Sequence, residues 1–303
     1  METSDLLRNI ISLPLLSSGL AEEMLAGNFK SIFKGQGMEF DEARHYEPGD
    51  DIRSIDWNAS ARFGNPFVKM YREERELTIL ILLDVSPSMH RTHIAHMGLS
   101  PYEQALISAA MIAFSAEHTG QQVGSLFFDR DVEKVFNPRK GRKSLMALVM
   151  AALQYQNNVT QRKSNYGSDI ASALTGAQRL LKKRSLVIII SDFYSINWEQ
   201  EMVNICRKHD VIALRISSPK NLPYSGLITL EDPETGMKIE APAGIDSFKE
   251  SWAEWHEQRS THWESLCKKC GASYLELTTE EDAPSSLIRF FGRHGTSQHR
   301  KKK

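Results

Sequence analysis

An α/β fold built on a doubly wound, mostly parallel sheet is predicted by three features of this chain. The first is LTILILLDVSPSM, residues 77–89, an aliphatic run that delivers Asp84, Ser86 and Ser88 at its end. A continuous apolar strand of this kind suits a sheet covered on both faces, whose ligands sit where the strands end. The second is the alternation that follows: apolar strands at 77–83, 122–128, 186–190, 211–216 and 273–277, with helical periodicity between them. The third is the Asp129-Arg130-Asp131 turn, which folds residues 132–136 back as one antiparallel edge strand.

The helices are read in order from caps and spacing. Ser100-Pro101-Tyr102-Glu103 carries a capping box with proline in the first turn, and the helix it opens is expected to run to about His118. Further helices fit 141–156, 168–183, 197–209, 246–269 and 281–291, each with apolar residues three and four apart. A hairpin is expected around Asp232–Gly236. Before the sheet, residues 1–34 read as an N-terminal helical arm. Residues 35–76 read as a charged, irregular or β-containing segment, dense in aromatics and in the turn dipeptides Pro48-Gly49 and Gly64-Asn65. The sheet domain is assigned to 77–293, and residues 294–303 to a basic flexible tail.

Charge and cysteine usage narrow the classes of function. Lys and Arg total 37 against 38 acidic residues, for a net charge of −1. No global field draws the chain to nucleic acid or to an anionic membrane. Three cysteines cannot all pair within the chain, and a domain of this size needs no disulfide, so a reducing cytoplasm is expected. Arg8, Asn9, Ser12 and Pro14 interrupt the apolar N-terminal segment, which leaves no signal peptide or membrane span expected there.

The chemistry gathers at strand ends. Asp84-x-Ser86-x-Ser88 sets one carboxylate and two hydroxyls in a tight loop, a donor set for a hard divalent cation, with Mg²⁺ the natural candidate and Mn²⁺ or Ca²⁺ as substitutes. Gly167-Ser168-Asp169 opens one helix, and Ser191-Asp192 closes another aliphatic strand on a carboxylate. This pattern resembles the von Willebrand factor A domain and its metal-ion-dependent adhesion site. The resemblance assigns Asp84, Ser86 and Ser88 to the first loop, Ser168 to a position usually held by Thr, and Asp192 to the last. Asp169 is the residue expected to compensate for the Ser168 departure. The implied geometry leaves one coordination position for a carboxylate from a partner protein.

Upstream, GMEFDEARHYEPGDDIRSIDWNASAR, followed by LEDPETG and the C-terminal RFFGR, is similar to the domain of unknown function family 58 over most of residues 35–293. Members are bacterial or archaeal proteins often encoded beside MoxR-type AAA+ ATPases, which the resemblance implies as partners. In the residues themselves, Arg44, Arg53 and Arg62 with Glu39, Asp50, Asp51 and Asp56 can form an ion network held by Tyr46 and Trp57, either as structure or as a docking face.

Other constellations read as ordinary. His90, His93 and His96 fall in a polar connection, and Cys267-Lys268-Lys269-Cys270 at a helix end lacks a second pair. Trp252, Trp255 and Trp263 with Leu266 form a stripe expected to face the core. The rival class is a phosphoryl-transfer hydrolase using Asp84, but the second carboxylate such enzymes want two residues on is Ser86 here. Neither a phosphate-binding loop nor a nucleophile elbow occurs. The expectation is a non-catalytic, Mg²⁺-dependent protein-binding module, an adaptor or chaperone-like partner, with no nucleic-acid or membrane role.

Overall fold

The computed structural model describes residues 39–47, 50, 55–72, 77–90, 99–157, 167–217, 226–231 and 238–297. They form two compact units, one within residues 30–76 and one from Leu77 onward.

In the smaller unit, β1 (Glu39–His45) pairs antiparallel with β2 (Phe67–Arg72), and α1 (Trp57–Phe63) lies between them in sequence. The segment expected to be irregular or β-containing is thus a two-stranded ribbon with one short helix. Asp56 opens α1 by accepting the Asn58 amide at 3.0 Å, and Gly64, with φ of 74°, ends it by donating to the Ser60 carbonyl. Arg44 reaches Asp50 at 2.6 Å. The Glu47 amide and the Arg44 guanidinium hold the Asp50 carboxyl below its ordinary value.

The wider ion network is realised only in part among the described residues. Asp56 serves the helix cap, Arg62 lies exposed in the last turn of α1, and Asp51 and Arg53 lie outside the described residues. Trp57 does not clamp the network as expected. It is 70% exposed, because the helix begins at this residue and its first turn leaves the indole in solvent.

The larger unit carries a six-stranded sheet in the order β10-β7-β6-β3-β4-β5. β3 (Thr78–Asp84), β4 (Gln122–Phe128), β6 (Leu186–Ser191), β7 (Asp210–Ser217) and β10 (Ser273–Thr278) are parallel, and β5 (Val132–Arg139) runs antiparallel at the edge. β8 (Leu227–Glu231) and β9 (Lys238–Pro242) form a separate antiparallel pair, whose expected turn lies outside the described residues. Gly124 is required for the edge. A Cβ there would stand 2.7 Å from the Phe136 carbonyl oxygen, so only glycine lets β5 approach β4.

The aliphatic run of β3 is buried from Ile79 to Asp84, as a strand covered on both faces must be. Leu80 and Leu82 join Val187 and Ile189 of β6 in a core with α5 (Ile170–Leu180), α6 (Glu199–Cys206) and α7 (Asp246–Cys270). α3 (Pro101–His118) is buried from Pro101 to Ala116, its polar Glu103, Gln104, Ser108 and Ser115 included, so the helix is enclosed on every side. Its neighbours confirm the enclosure: Tyr102 Oη donates to the Ala152 carbonyl of α4 (Arg142–Asn157), and Gln104 Nε2 donates to the Thr278 and Glu281 carbonyls. The capping box at Ser100 is formed in both directions.

The last helix, α8 (Ala283–Ser297), extends past the expected end at 291. Helix therefore replaces the first part of the expected flexible tail, since no proline follows Phe291 to stop propagation. Residues 298–303 lie outside the described residues, as do 1–38. Among the described residues no helix is long and apolar enough to cross a membrane.

Candidate functional site

Three loops meet at the carboxyl end of the sheet. β3 brings Asp84 there with its side chain fully buried, and the ladder continues one residue further, Val85 N donating to the Phe128 carbonyl at 2.8 Å. The chain then tightens into the single turn α2 (Pro87–His90). Leading into that turn, Asp84 Oδ1 accepts the Ser86 amide at 2.9 Å, and the Ser86 and Ser88 hydroxyls lie 3.0 Å apart.

The second loop precedes α5. Gly167 takes a φ of 124°, open to glycine alone, and Asp169 N donates to the Asp129 carbonyl at 2.8 Å, tying the loop to the end of β4. Ser168 Oγ then donates to Asp84 Oδ2 at 3.0 Å. Asp169 does not reinforce Ser168 as expected. It caps α5, accepting the Ser172 amide at 3.1 Å, because an N-cap side chain folds back over its own first turn.

The third loop follows β6. Asp192 is buried, and its Oδ1 accepts the Tyr194 amide at 3.0 Å. Ser191 was not assigned from sequence, yet its hydroxyl donates to Asp84 Oδ2 at 2.6 Å and accepts the Phe193 amide at 3.0 Å. The signal available in sequence was its position between an aliphatic strand and Asp192. Ser195 Oγ accepts the Ile170 amide at 3.3 Å and so joins the second loop to the third.

Asp84, Ser86, Ser88, Ser168 and Asp192 therefore lie in one locality, with Ser191 added. Burial, and with it the negative charge of Asp192, pushes the Asp84 carboxyl up to about 7 against the opposing donors Ser191 and Ser86. No cationic side chain is among the groups that set this value. A divalent cation would relieve both the desolvation and the repulsion, and the donors are oxygens throughout, so these residues fit a hard ion. Among the described residues no three His, Cys, Asp or Glu side chains gather as ligands, so hydroxyls would fill much of the shell.

The other constellations add no oxygen donor to this centre. His90 packs on the Tyr102 ring at 4.1 Å, while His93 and His96 lie outside the described residues. The three cysteines are free thiols, and burial pushes Cys206 and Cys267 up to about 12, far from the thiolate that metal or redox chemistry uses. Trp263 enters the core as expected, but Trp255 is 41% exposed. The stripe divides because 3.6-residue periodicity carries Trp255 around to the rim of α7.

Known proteins resemble this chain along most of its length. An uncharacterized protein of Mycobacterium tuberculosis, Rv1480, is 29% identical over 276 residues, covering 88% of this chain and 83% of the relative. An uncharacterized protein of Mycobacterium bovis matches to the same extent. Among solved structures, a conserved hypothetical protein BatB from Bacteroides thetaiotaomicron has a TM-score of 0.44 at 15% identity, covering 73% of this chain and 100% of that one. The Rpn10 von Willebrand A domain has a TM-score of 0.38 at 9% identity, covering 71% of this chain and 94% of that one. Residues 42–262 match the model of the family described as "Protein of unknown function DUF58", and the chain belongs to that family.

Proposed function

We propose that this chain is a non-catalytic protein-binding module whose grip depends on Mg²⁺ held by Asp84, Ser86, Ser88, Ser168 and Asp192. The observation that carries this reading is the Asp84 carboxylate, fully buried, ringed by hydroxyl and amide donors, and destabilised by a second buried carboxylate. When bound, Mg²⁺ supplies a coordination position that a partner's acidic side chain completes. Asp84 and Asp192 offer charge, the Ser86, Ser88 and Ser168 hydroxyls offer lone pairs, and Ser191 orients Asp84. Mn²⁺ or Ca²⁺ can substitute by the same donor chemistry.

The partner we propose is a MoxR-type AAA+ ATPase or its client, engaged in the cytoplasm with this chain as adaptor or chaperone-like companion. That assignment comes from the family resemblance. The hydrolase reading is less favoured, since both Asp84 oxygens accept hydrogen bonds and Ser86 stands where a general acid would be needed.

Affinity capture of the partner with the full chain tests the proposal. Capture is expected in Mg²⁺ and lost in chelator, and lost with Asp84→Ala plus Asp192→Ala while circular dichroism stays unchanged. Undiminished capture by the double variant rejects ion-dependent binding. Mg²⁺-dependent capture of proteins that include no AAA+ ATPase and no client of one rejects only the partner assignment.

A further inference from the structure

The loop that carries Asp192 is held from outside by one side chain of α7. Arg259 Nη2 donates to the Phe193 carbonyl at 3.3 Å. Its guanidinium also lies 4.0 Å from the Tyr194 ring centre and 5.0 Å from that of Trp255. Those two rings stack on each other, 6.5 Å apart with 29° between their planes, and the cation sits against both members of the pair. A guanidinium suits such a site, in cation–π contact with both rings while one N–H donates to a carbonyl.

Phe193 and Tyr194 are the two residues that follow Asp192. The Tyr194 amide donates to Asp192 Oδ1, so a side chain that fixes Tyr194 also fixes the carboxylate. Phe193 has φ of 54°, a left-handed conformation costly for a bulky residue, which persists only where its surroundings impose it. From inside the fold, the Phe193 ring packs on Trp198 and Trp263 at 5.5 and 5.4 Å. Arg259 supplies the matching restraint from the rim.

We propose that Arg259 is a positioning residue for the ion centre: in contact with the Tyr194 and Trp255 rings and bonded to the Phe193 carbonyl, it sets the affinity for the ion through the placement of Asp192. The proposal rests on the reading of that centre as an ion site. It makes α7, which contributes no ligand, a determinant of how tightly the ion is held. Groups that orient a ligand commonly change metal affinity by about 10–100-fold when removed.

The test is calorimetric titration of the full chain with Mg²⁺, with melting temperatures measured in chelator alongside. Arg259→Met is expected to weaken Mg²⁺ binding by about tenfold or more while melting near the wild-type temperature in chelator. Arg259→Lys, which keeps the charge but loses the planar fork, is expected to fall between. Trp255→Ala removes one of the two rings that Arg259 contacts, at a half-exposed position, and is expected to weaken binding in the same direction, which decides the matter should Arg259→Met fail to fold. Wild-type affinity in the folded variants, with only the melting temperature lowered, overturns the positioning role and leaves the ion reading standing. A wild-type chain that takes up neither Mg²⁺ nor Mn²⁺ overturns both.

Discussion

Ser191 donates its hydroxyl proton to Asp84 Oδ2 at 2.6 Å, joining the ends of the neighbouring parallel strands β6 and β3. That bond converts two separate strand termini into one centre. It also lowers the Asp84 pKa against the larger effect of burial, so the hydroxyl stabilises the charged carboxylate. Ser191→Ala is expected to destabilise the chain by about 1–3 kcal/mol, since the Phe193 amide loses its acceptor and Asp84 a donor. Denaturant unfolding at neutral pH measures this, and an unchanged midpoint would show that the bond contributes nothing net.

Asp84→Asn separates charge from shape. The amide is nearly isosteric and carries no charge to desolvate, so in chelator at pH 8 the variant is expected to melt above wild type. Mg²⁺ should then raise the wild-type melting temperature and leave the variant unmoved. Equal Mg²⁺ responses in the two proteins would place the ion elsewhere.

The pH dependence follows from the raised Asp84 value. Its carboxyl moves from 3.8 in the unfolded chain to about 7 in the fold, so the folded state binds the proton more tightly. The resulting stabilisation is complete below the unfolded value and is lost as pH rises through the folded one. In chelator, the Asp84 contribution therefore declines between pH 4 and pH 7. Mg²⁺ competes with that proton, and its effect on melting temperature is expected to be larger at pH 8 than at pH 6. Thermal melts at several pH values with and without Mg²⁺ check the sign.

Gly124→Ala should damage the sheet edge without touching the site. The added Cβ would meet the Phe136 carbonyl and the Pro138 nitrogen, backbone atoms that move only with β5. A loss of about 1–3 kcal/mol is expected, as for other overpacking changes. Chemical unfolding gives the number, and Mg²⁺ affinity in the folded variant should remain that of wild type.

Burial also predicts silent cysteines. With the Cys206 and Cys267 thiols pushed up to about 12, almost no thiolate exists at pH 8. Mass spectrometry after brief iodoacetamide treatment should find Cys267 unmodified in the native chain and alkylated in denaturant. Fast native labelling would mean that α7 opens from the core.

Much of the architecture was legible locally. The run ending in Asp84 reads as a buried strand because hydrophobic continuity and length are properties of neighbouring residues. The Ser100 capping box and the Asp129–Asp131 turn are legible for the same reason, each being closed by residues only a few positions apart. The gathering of Asp84, Ser168 and Asp192 is legible from the strand ends, since parallel sheets bring successive carboxyl ends to one side.

What tertiary structure alone decided were choices between competing partners. Asp169 and Ser168 are adjacent polar residues, and only the anchoring of their loop to Asp129 turns Ser168 toward Asp84 and leaves Asp169 to its helix. Trp57 and Trp255 look like core residues by type, but exposure depends on which elements cover a helix face, and composition does not encode that. Ser191 reaches Asp84 across a separation of 107 residues through the register of β3 with β6. By itself, then, the sequence determined the strands, the caps and the supply of oxygen donors, because those depend on short-range pattern. The pairing of strands distant in the chain decided which donors face one another, because that contact exists only once the sheet has closed.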